Sequence, residues 1–485
     1  MPSSPTLASA APVAAAAAQP AASGERSASI AASFERVRAQ TVALIAGLSE
    51  ADCQAQSMPD ASPAKWHLGH TTWFFETFVL ERFEPGFQAH HPAYRVLFNS
   101  YYNGVGDQHP RPQRGLITRP GLADVLAWRR AVDSRIAALL QRAATDLDSA
   151  AQDQLAELLT LGLQHEQQHQ ELLLTDLLHL FGCNPLAPVW RPLPAPAAAA
   201  LAAPDAAAPH WLPQDAGLVE IGHAGDGFAF DNETPRHQVF LRPYALAQRP
   251  VSQAQWAEFI ADGGYQQPRW WLAAGWDWVR SQRIGAPLYW RPADGLANSA
   301  APGRRDAGNW QQFTLHGLRA LDLAAPVAHI SAYEAEAFAA WWSAQHPDAL
   351  PARLPTEAEW EHAAGQPAAL ATLADAATSH FVDSGALLAM PASATTPANA
   401  PVDGLQQLWG EVWQWTASPY TPYPGFRAWD GAVGEYNAKF MANQRVLRGG
   451  SCASPRDHLR ASYRNFFPLD ARWQFSGLRL AQDLA

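Results

Sequence analysis

Apolar residues recur every three to four positions in four segments of the first 190 residues, which is the period of an amphipathic helix. The segments are Ile30–Leu48, Pro63–Arg82, Leu122–Ala143 and Leu155–Leu180. Helices that each carry one apolar face bury those faces against one another. The pattern therefore predicts a four-helix bundle.

A long connection joins the second and third predicted helices. It runs from Glu84 to Pro120, is rich in proline, glycine and aromatic residues, and reads Phe-Asn-Ser-Tyr-Tyr-Asn-Gly at positions 98–104. Helix connections in bundles usually span about two to eight residues, and much longer ones are typically functional. We therefore expect this segment to contribute side chains to a site.

Two low-complexity stretches divide the chain. Residues 1–28 are dominated by Ala, Ser and Pro, and this composition predicts a disordered tail. Residues 191–210 combine Pro with Ala and predict a semi-rigid linker. We therefore expect two folded units, the helical bundle over residues 29–190 and a second domain over residues 211–485.

The second unit shows no sustained helical period. Short strand-like runs at Leu218–Gly222, His237–Leu241 and Arg445–Arg448 alternate with loops rich in Gly, Pro and Trp. Two clear helices are predicted, Ser252–Ala261 and Ser331–Gln345, and serine is a good N-cap residue. This mixture predicts an irregular α+β domain.

Composition limits the partners and the compartment. The net charge of −11 and the pI near 5.8 argue against a nucleic-acid partner, which would need a basic surface. No run of about 18 strongly apolar residues occurs, so no membrane span is expected. Cys53, Cys183 and Cys452 lie far apart, which favours a reducing compartment and a cytoplasmic location. The sequence sets no oligomeric state.

Two histidines in the fourth predicted helix have the spacing of metal ligands. His165 and His169 are four residues apart, so their imidazoles project from the same face of the helix. A third ligand is available from His67 or His70 in the second helix, and helix geometry alone does not choose between them. Three imidazoles suit zinc or iron and leave coordination positions open.

One alternative is a zinc-dependent hydrolase or transferase. Residues 165–169 read His-Glu-Gln-Gln-His, which matches the zinc-protease pattern His-Glu-x-x-His. In that interpretation Glu166 is the general base that activates a metal-bound water. The pattern is short, and it accounts for neither the long connection nor the second domain.

Aromatic residues form two further candidate groups. Tyr101 and Tyr102 lie in the long connection, where a phenol near a metal can supply a proton to an oxygen-derived group. Asn465 precedes Phe466 and Phe467, and an amide beside two aromatic rings can hold a quaternary ammonium by cation–π attraction. From the residues alone, ordinary aromatic packing explains the tyrosines more simply.

Taken together, these motifs resemble the EgtB-type sulfoxide synthases (hercynine oxygenases) of ergothioneine biosynthesis and the related SenA-type selenoneine synthases. The resemblance covers nearly all of the chain after residue 29. It implies a DinB-like bundle followed by a formylglycine-generating-enzyme-like (sulfatase-modifying factor) domain with a C-type-lectin-like core. The motifs that carry it are Ser62–Glu76, Leu97–Tyr102, Gln164–Glu171, Arg448–Cys452 and Tyr463–Phe467.

The resemblance implies an oxygen-activating iron enzyme. The ligands of its non-haem Fe(II) would be His70, His165 and His169, with O2 as co-substrate. The organic substrate would be hercynine, the trimethylated betaine of histidine. Gln168 and Asn465 match positions that contact its trimethylammonium and carboxylate end. The reaction expected is oxidative C–S or C–Se bond formation at hercynine C2.

Further positions match the family's proton donors and ligand contacts. Phe466 matches the ring that faces the hercynine cation, and Tyr101, followed by Tyr102, matches the active-site tyrosines of one subgroup. Phe467 replaces an acidic residue of the actinobacterial relatives, which disfavours γ-glutamylcysteine as the donor. Arg95 lies near Tyr101, where it can hold the carboxylate of a donor such as free cysteine. Cysteine and a selenosugar both remain open.

Two positions depart from the family pattern. Gly69 stands where alanine is expected, immediately before the implied ligand His70. Gln414 stands where glutamate is usual in the Trp-x-Trp-Thr motif at positions 413–416. Neither change selects between the two donors.

Overall fold

The computed structural model describes residues 23–193, 209–225, 227–293, 310–376, 378–392 and 404–484. The tail predicted for residues 1–28 lies outside the described residues as far as residue 22, and most of the linker predicted for residues 191–210 does so as well. The first helix begins at Ser23, before the predicted start at Ile30. The domain boundaries remain predictions.

The N-terminal unit is helical, as predicted. Four long helices form the bundle, and the second is extended by a π-helical turn over Glu76–Leu80. The α-helices of this unit are α1 (Ser23–Ala43), α2 (Glu50–Gln54), α3 (Ala64–Phe75), α4 (Glu81–Phe83), α5 (Tyr94–Leu97), α6 (Leu122–Asp146) and α7 (Ser149–Gly182).

Helix α7 is the longest element and carries two of the candidate ligands. It begins at the N-cap Asp148, whose side chain accepts a hydrogen bond from the backbone N–H of Ala151 at 2.8 Å. Gly162 brings α7 close to α3, because a Cβ at this position would lie 2.6 Å from Cε1 of Phe75. This close packing places the side chains of the two helices around one buried site.

The C-terminal unit is the irregular α+β domain that the sequence predicts. Its α-helices are α8 (Gln253–Ala261), α9 (Ala273–Gln282), α10 (Ala332–Gln345), α11 (Glu357–Ala364), α12 (Pro367–Ala374) and α13 (Glu435–Ala438). Its strands are β1 (Trp211–Gln214), β2 (Gly217–Ile221), β3 (His237–Leu241), β4 (Tyr244–Ala247), β5 (Trp290–Pro292), β6 (Trp310–Thr314), β7 (Gly317–Ala320), β8 (Ala352–Arg353), β9 (Trp413–Pro419), β10 (Gln444–Arg448), β11 (Asn465–Pro468), β12 (Ser476–Gly477) and β13 (Ala481–Asp483).

The strands form four small sheets among the described residues. Two of them have four strands, in the orders β1-β4-β13-β8 and β11-β10-β9-β12. The second of these carries the candidate residues Asn465, Phe466 and Phe467 on β11, which pairs antiparallel with β10. The three predicted strands and the two predicted helices of this unit are confirmed to within one residue at each end. Helices α9, α11, α12 and α13 are additional to these two.

The two units share an interface that is polar at its centre. Glu171 of α7 is partly buried there and accepts hydrogen bonds from Trp413 Nε1 at 2.7 Å, Ser451 Oγ at 2.5 Å and Ser454 Oγ at 2.6 Å. Burial raises the pKa of Glu171, although these three donors act in the opposite direction. The Gly-Gly-Ser-Cys turn after β10 is thus fixed against α7, which sets the C-terminal domain beside the candidate ligands.

None of the helices in the described part of the chain combines the length and the apolar character needed to cross a bilayer.

Candidate metal centre and active-site cavity

Three histidines meet where α3 packs on α7. His165 and His169 project from one face of α7 and His70 projects from α3, and one nitrogen of each lies within 4.8 Å of those of the others. The closest approach is 3.3 Å, between Nε2 of His70 and Nε2 of His165. His70 and His165 are buried, and His169 is partly buried. The structure thus brings together the three residues predicted as metal ligands.

The contacts of the ring nitrogens that point away from the cluster indicate which nitrogen of each histidine is left to face it. Nδ1 of His70 donates to the carbonyl oxygen of Phe98 at 2.6 Å. In the neutral imidazole Nε2 then carries no proton, and its lone pair is free to bind a metal. Nδ1 of His165 is buried and has no partner among the described residues. His67 is not part of the cluster, because its ring nitrogens contact His169 and Asp176 instead. The structure therefore favours His70 over His67 as the third ligand.

The imidazoles of the cluster are neutral. Burial, followed by repulsion from neighbouring histidines, lowers the pKa of His70 and His169 well below the usual value. Burial lowers the pKa of His165 to about 4. Neutral imidazoles whose Nε2 lone pairs face each other repel unless a cation lies between them. Three neutral nitrogen donors in a buried pocket fit a divalent transition metal such as zinc or iron.

Gly69 explains how the carbonyl of Phe98 reaches His70. A Cβ at this position would lie 2.2 Å from Cε1 of Phe98, whose ring is fully buried. The ring therefore packs directly on the backbone of α3, and its own carbonyl is brought to the imidazole of the next residue. The departure from alanine at this position thus has a local packing reason.

Gly69→Ala should weaken both the fold and the metal centre. The added methyl group forces the Phe98 ring to move, and overpacking of this kind costs about 1–3 kcal/mol of stability. Because the Phe98 carbonyl orients His70, metal affinity should also fall. Thermal unfolding and metal titration of the variant test this, with Gly285→Ala as the control, since a Cβ at Gly285 meets nothing within 4 Å. Wild-type behaviour of both variants would contradict it.

A cavity of about 250 Å³ opens beside the three histidines, between the two units. Its walls come from α3, α7 and the long connection on one side and from the C-terminal domain on the other. Residues of the C-terminal domain that line it include Trp413, Tyr436, Phe440, Tyr463, Asn465, Phe466, Phe467 and Gln474. The wall opposite the histidines is therefore mainly aromatic.

Both candidate tyrosines line this cavity in different surroundings. The ring of Tyr102 is buried 6.4 Å from the rings of His70 and His165, and burial raises the pKa of its phenol. Tyr101 lies further from the histidines and packs edge-on against Phe440 at 4.9 Å. Its hydroxyl oxygen accepts a hydrogen bond from Arg111.

The predicted substrate contacts also line the cavity. Nε2 of Gln168 donates to the hydroxyl of Tyr463 at 2.8 Å, which ties α7 to the C-terminal domain. The Oδ1 atom of Asn465 accepts from the backbone N–H of Phe466 at 2.9 Å. The Phe466 ring stacks on Tyr420 at 4.1 Å, and Phe467 lies in the same wall. These residues form one continuous surface of amides and rings.

Arg95 is not brought to the cavity. Its guanidinium is exposed and pairs with Glu81 at 2.6 Å, because the short helix α5 directs it outward. Three arginines that were not predicted line the cavity instead, Arg111, Arg114 and Arg464, of which Arg464 pairs with Glu357. The Arg-Pro-Gln-Arg run at positions 111–114 of the long connection was the signal available in the sequence.

Arg114 is a buried cation without a carboxylate partner among the described residues. It is 3% exposed, lies 3.4 Å above the centre of the Trp66 ring and donates to the hydroxyls of Ser62 and Ser100. Burial, followed by the charge of Arg111, lowers its pKa to about 9. An anion bound in the cavity would offset this unfavourable burial.

Glu166 is held away from the cavity by its ion pairs and hydrogen bonds. It is fully buried, pairs with Arg38 at 2.8 Å and with Arg129, and accepts from Thr41 Oγ1 at 2.6 Å. Burial alone would raise the pKa of Glu166, but the charges of Arg129 and Arg38 lower this pKa to about 2. Glu166 does not line the cavity, so it is not placed to be the base of a zinc hydrolase.

Comparisons with known proteins agree with this architecture. The family model described as DinB superfamily matches residues 33–173, and the model described as sulfatase-modifying factor enzyme 1-like domain matches residues 199–484. The hercynine oxygenase of Mycolicibacterium thermoresistibile is 32% identical over 92% of this chain and 93% of that protein. The chain belongs to the hercynine oxygenase family. It is an enzyme, and its class is that of the oxidoreductases.

Other relatives match most of the chain or about half of it. The hercynine oxygenase of Mycolicibacterium smegmatis is 32% identical over 92% of this chain and 97% of that protein. The formylglycine-generating enzyme of Streptomyces coelicolor is 30% identical over 53% of this chain and 84% of that protein. The hercynine oxygenase family thus joins a DinB-like bundle to a formylglycine-generating-enzyme-like domain, as the sequence motifs predict.

Proposed function

We propose that this chain uses Fe(II) and O2 to join C2 of hercynine to a thiol or selenol donor, in ergothioneine or selenoneine biosynthesis. The observation that carries the proposal is the cluster of three neutral histidines facing a cavity between the two units. For a thiol donor, the C2–H and S–H hydrogens leave as water with one oxygen atom of O2. The other oxygen atom is retained on sulfur as a sulfoxide.

The bound iron would supply the activation of O2, and the protein would supply orientation and a proton. His70, His165 and His169 would hold the metal, each through one ring nitrogen. The aromatic wall excludes bulk water. The hydroxyl of Tyr101, whose oxygen accepts a hydrogen bond from Arg111, would donate a proton to the group derived from O2. Tyr102 is the second candidate for this role, because its ring lies beside His70 and His165.

The cavity offers complementary groups for hercynine. Its trimethylammonium carries a diffuse positive charge that ring faces attract, and Phe466 supplies one such face. Gln168 and Asn465 offer amides to the same end of the substrate. With the cation anchored there, the substrate imidazole can extend toward the histidine cluster.

The donor is proposed to carry an anionic group. Arg111 and Arg114 line the cavity and have no carboxylate partner among the described residues, so they can hold the carboxylate of free cysteine. We therefore move the donor contact first expected at Arg95 to this pair. A selenosugar that lacks a carboxylate would use their N–H groups only as neutral hydrogen-bond donors.

The test is a comparison of products from Fe(II)-loaded enzyme supplied with O2 and hercynine, with cysteine or a selenosugar as donor. We expect hercynine-dependent O2 uptake and a product whose mass equals a C2-linked adduct of one donor. Zinc-loaded enzyme is the control and should form none. Absence of hercynine-dependent O2 uptake with every donor would overturn the proposal, whereas peptide or ester hydrolysis by the zinc form would favour the hydrolase.

We also propose a cytoplasmic location. All three cysteines are free, and Cys183 is exposed, which suits a reducing compartment. The acidic net charge of −11 supports small-molecule substrates over nucleic acid.

A further inference from the structure

His67 occupies a special position behind the metal centre. It lies one turn before His70 on α3, but its ring turns away from the cluster of Nε2 atoms. Its Nδ1 lies 2.9 Å from Nδ1 of His169, and its Nε2 lies 3.0 Å from Oδ2 of Asp176. The side chains of His67 and Asp176 are only 3% and 8% exposed. Together these residues form an outer chain, Asp176–His67–His169.

The donors and acceptors of the outer chain can be ordered in only one way when both imidazoles are neutral. A carboxylate only accepts, so Nε2 of His67 carries a proton and donates to Asp176. Nδ1 of His67 then carries no proton, so it accepts a hydrogen bond from the N–H at Nδ1 of His169. The remaining nitrogen of His169, Nε2, is left as a lone pair that faces His70 and His165.

Asp176 is itself held in place at the far end of the outer chain. Its Oδ2 also accepts a hydrogen bond from the backbone N–H of Ser62 at 2.7 Å. Ser62 lies at the start of the segment that enters α3, so the carboxylate fixes α7 against α3 as well as binding His67. The orientation of His67 is therefore determined by the backbone and not only by side-chain packing.

The three candidate ligands differ in the hydrogen-bond partner of the ring nitrogen that points away from the cluster. The outer nitrogen of His70 donates to a neutral carbonyl, and that of His165 has no partner in the described part of the chain. Only His169 is linked, through His67, to a carboxylate. A carboxylate behind a ligating imidazole fixes its tautomer and increases its basicity toward the metal.

We propose that Asp176 and His67 act as a positioning pair that sets the tautomer of His169 and makes it the strongest of the three metal donors. Both residues also line the cavity, but neither belongs to the ligand cluster, so the pair acts on the metal only through His169. This inference rests on the metal centre of the proposed function and is independent of the identity of the substrates.

The test is metal binding to the purified full-length apoprotein. Anaerobic Fe(II) titration gives the affinity, and the visible absorption of the Co(II) form reports the strength of the three donors. Asp176→Asn keeps the shape and an oxygen for Ser62 and His67 but removes the charge. His67→Leu removes both hydrogen bonds, whereas His67→Gln offers one donor and one acceptor in their place.

We expect Asp176→Asn and His67→Leu to lower metal affinity by about 10–100-fold and to shift the Co(II) absorption bands. His67→Gln should recover most of the affinity. His316→Gln is the control, because His316 is also buried with both ring nitrogens hydrogen-bonded, but to Arg191 and Ala386 carbonyls away from the cluster. Its metal affinity should equal that of the wild type.

The outcomes separate this inference from the proposed function. Failure of the wild-type chain to bind Fe(II) or Co(II) would overturn the metal centre itself. Wild-type binding with an unchanged affinity and Co(II) spectrum in Asp176→Asn would overturn only the positioning role. Equal losses in His67→Gln and His67→Leu, together with an unchanged Co(II) spectrum, would show that His67 is needed for packing alone and would also overturn it.

Discussion

His165→Ala is expected to release the metal and stop hercynine-dependent O2 uptake. His165 supplies one of three Nε2 atoms in the cluster, and no other described His, Cys, Asp or Glu joins the group. Changes behind a metal ligand already cost about 10–100-fold in affinity, so loss of a ligand should cost more. Metal content after dialysis and O2 consumption measure the effect.

The same variant should be less sensitive to acid in its apo form. Burial holds the pKa of His165 at about 4 in the folded chain, against 6.5 when unfolded. The unfolded chain therefore takes up a proton below about pH 6.5 that the folded chain takes up only near pH 4, so this residue destabilises the fold as the pH falls through that window. Alanine removes this contribution, which unfolding midpoints at pH 7 and pH 5 would show.

His179→Ala is the matched control for His165→Ala. His179 lies on the same helix, four turns further along, and contacts Ser57 and not the cluster. It should bind the metal and consume O2 as the wild type does. Full metal content and activity in His165→Ala would contradict the assignment of the metal centre.

The ligand pair on α7 could be predicted from the sequence because it depends only on helical spacing. His165 and His169 share a face in any α-helix, and the absence of interruption from Leu163 to Leu180 made the helix itself predictable. The choice between His67 and His70 could not be predicted in this way. It depends on the Phe98 carbonyl and the Asp176 carboxylate, which come from distant parts of the chain.

The arginines proposed to bind the thiol or selenol donor could not be predicted from the sequence either. Arg95 was favoured because it is close to Tyr101 along the chain, but the long connection turns it toward Glu81. Arg111 and Arg114 reach the cavity because the connection folds back over α3, and no hydrophobic period encodes such a path. Proximity in sequence is therefore a poor guide to proximity in space within a loop of this length.

Gln414 illustrates a departure that only the structure explains. Its Oε1 accepts from Trp360 Nε1 and from Arg479 Nε, both at 3.0 Å, while its Nε2 donates to the Leu408 carbonyl at 2.9 Å. A glutamate could not make the last bond in its charged form. The amide is therefore matched to a core position of the C-terminal domain and has no direct part in the cavity.

Tyr101→Phe is expected to divert the reaction from C–S coupling to oxidation of the thiol donor to a sulfinic acid. Arg111 donates to the phenol oxygen of Tyr101, so the phenol proton is not used in that hydrogen bond and remains available to the cavity. A positioned proton donor typically contributes about 10²–10⁴-fold to its step, so coupling should fall by at least about 100-fold. The ratio of coupled product to sulfinic acid, by mass spectrometry, measures the change.

Tyr102→Phe is the matched control, since it removes the neighbouring hydroxyl and keeps the ring beside His70 and His165. Burial raises the pKa of Tyr102, so its phenol stays protonated, and no side-chain hydrogen bond holds its hydroxyl among the described residues. We expect this variant to keep most of the coupling and to consume O2 at a similar rate. If Tyr101→Phe couples normally, Tyr101 has no part in the proton transfer. If Tyr102→Phe alone forms sulfinic acid, the hydroxyl nearer the histidines is the proton donor, and Arg111 then serves only the donor carboxylate.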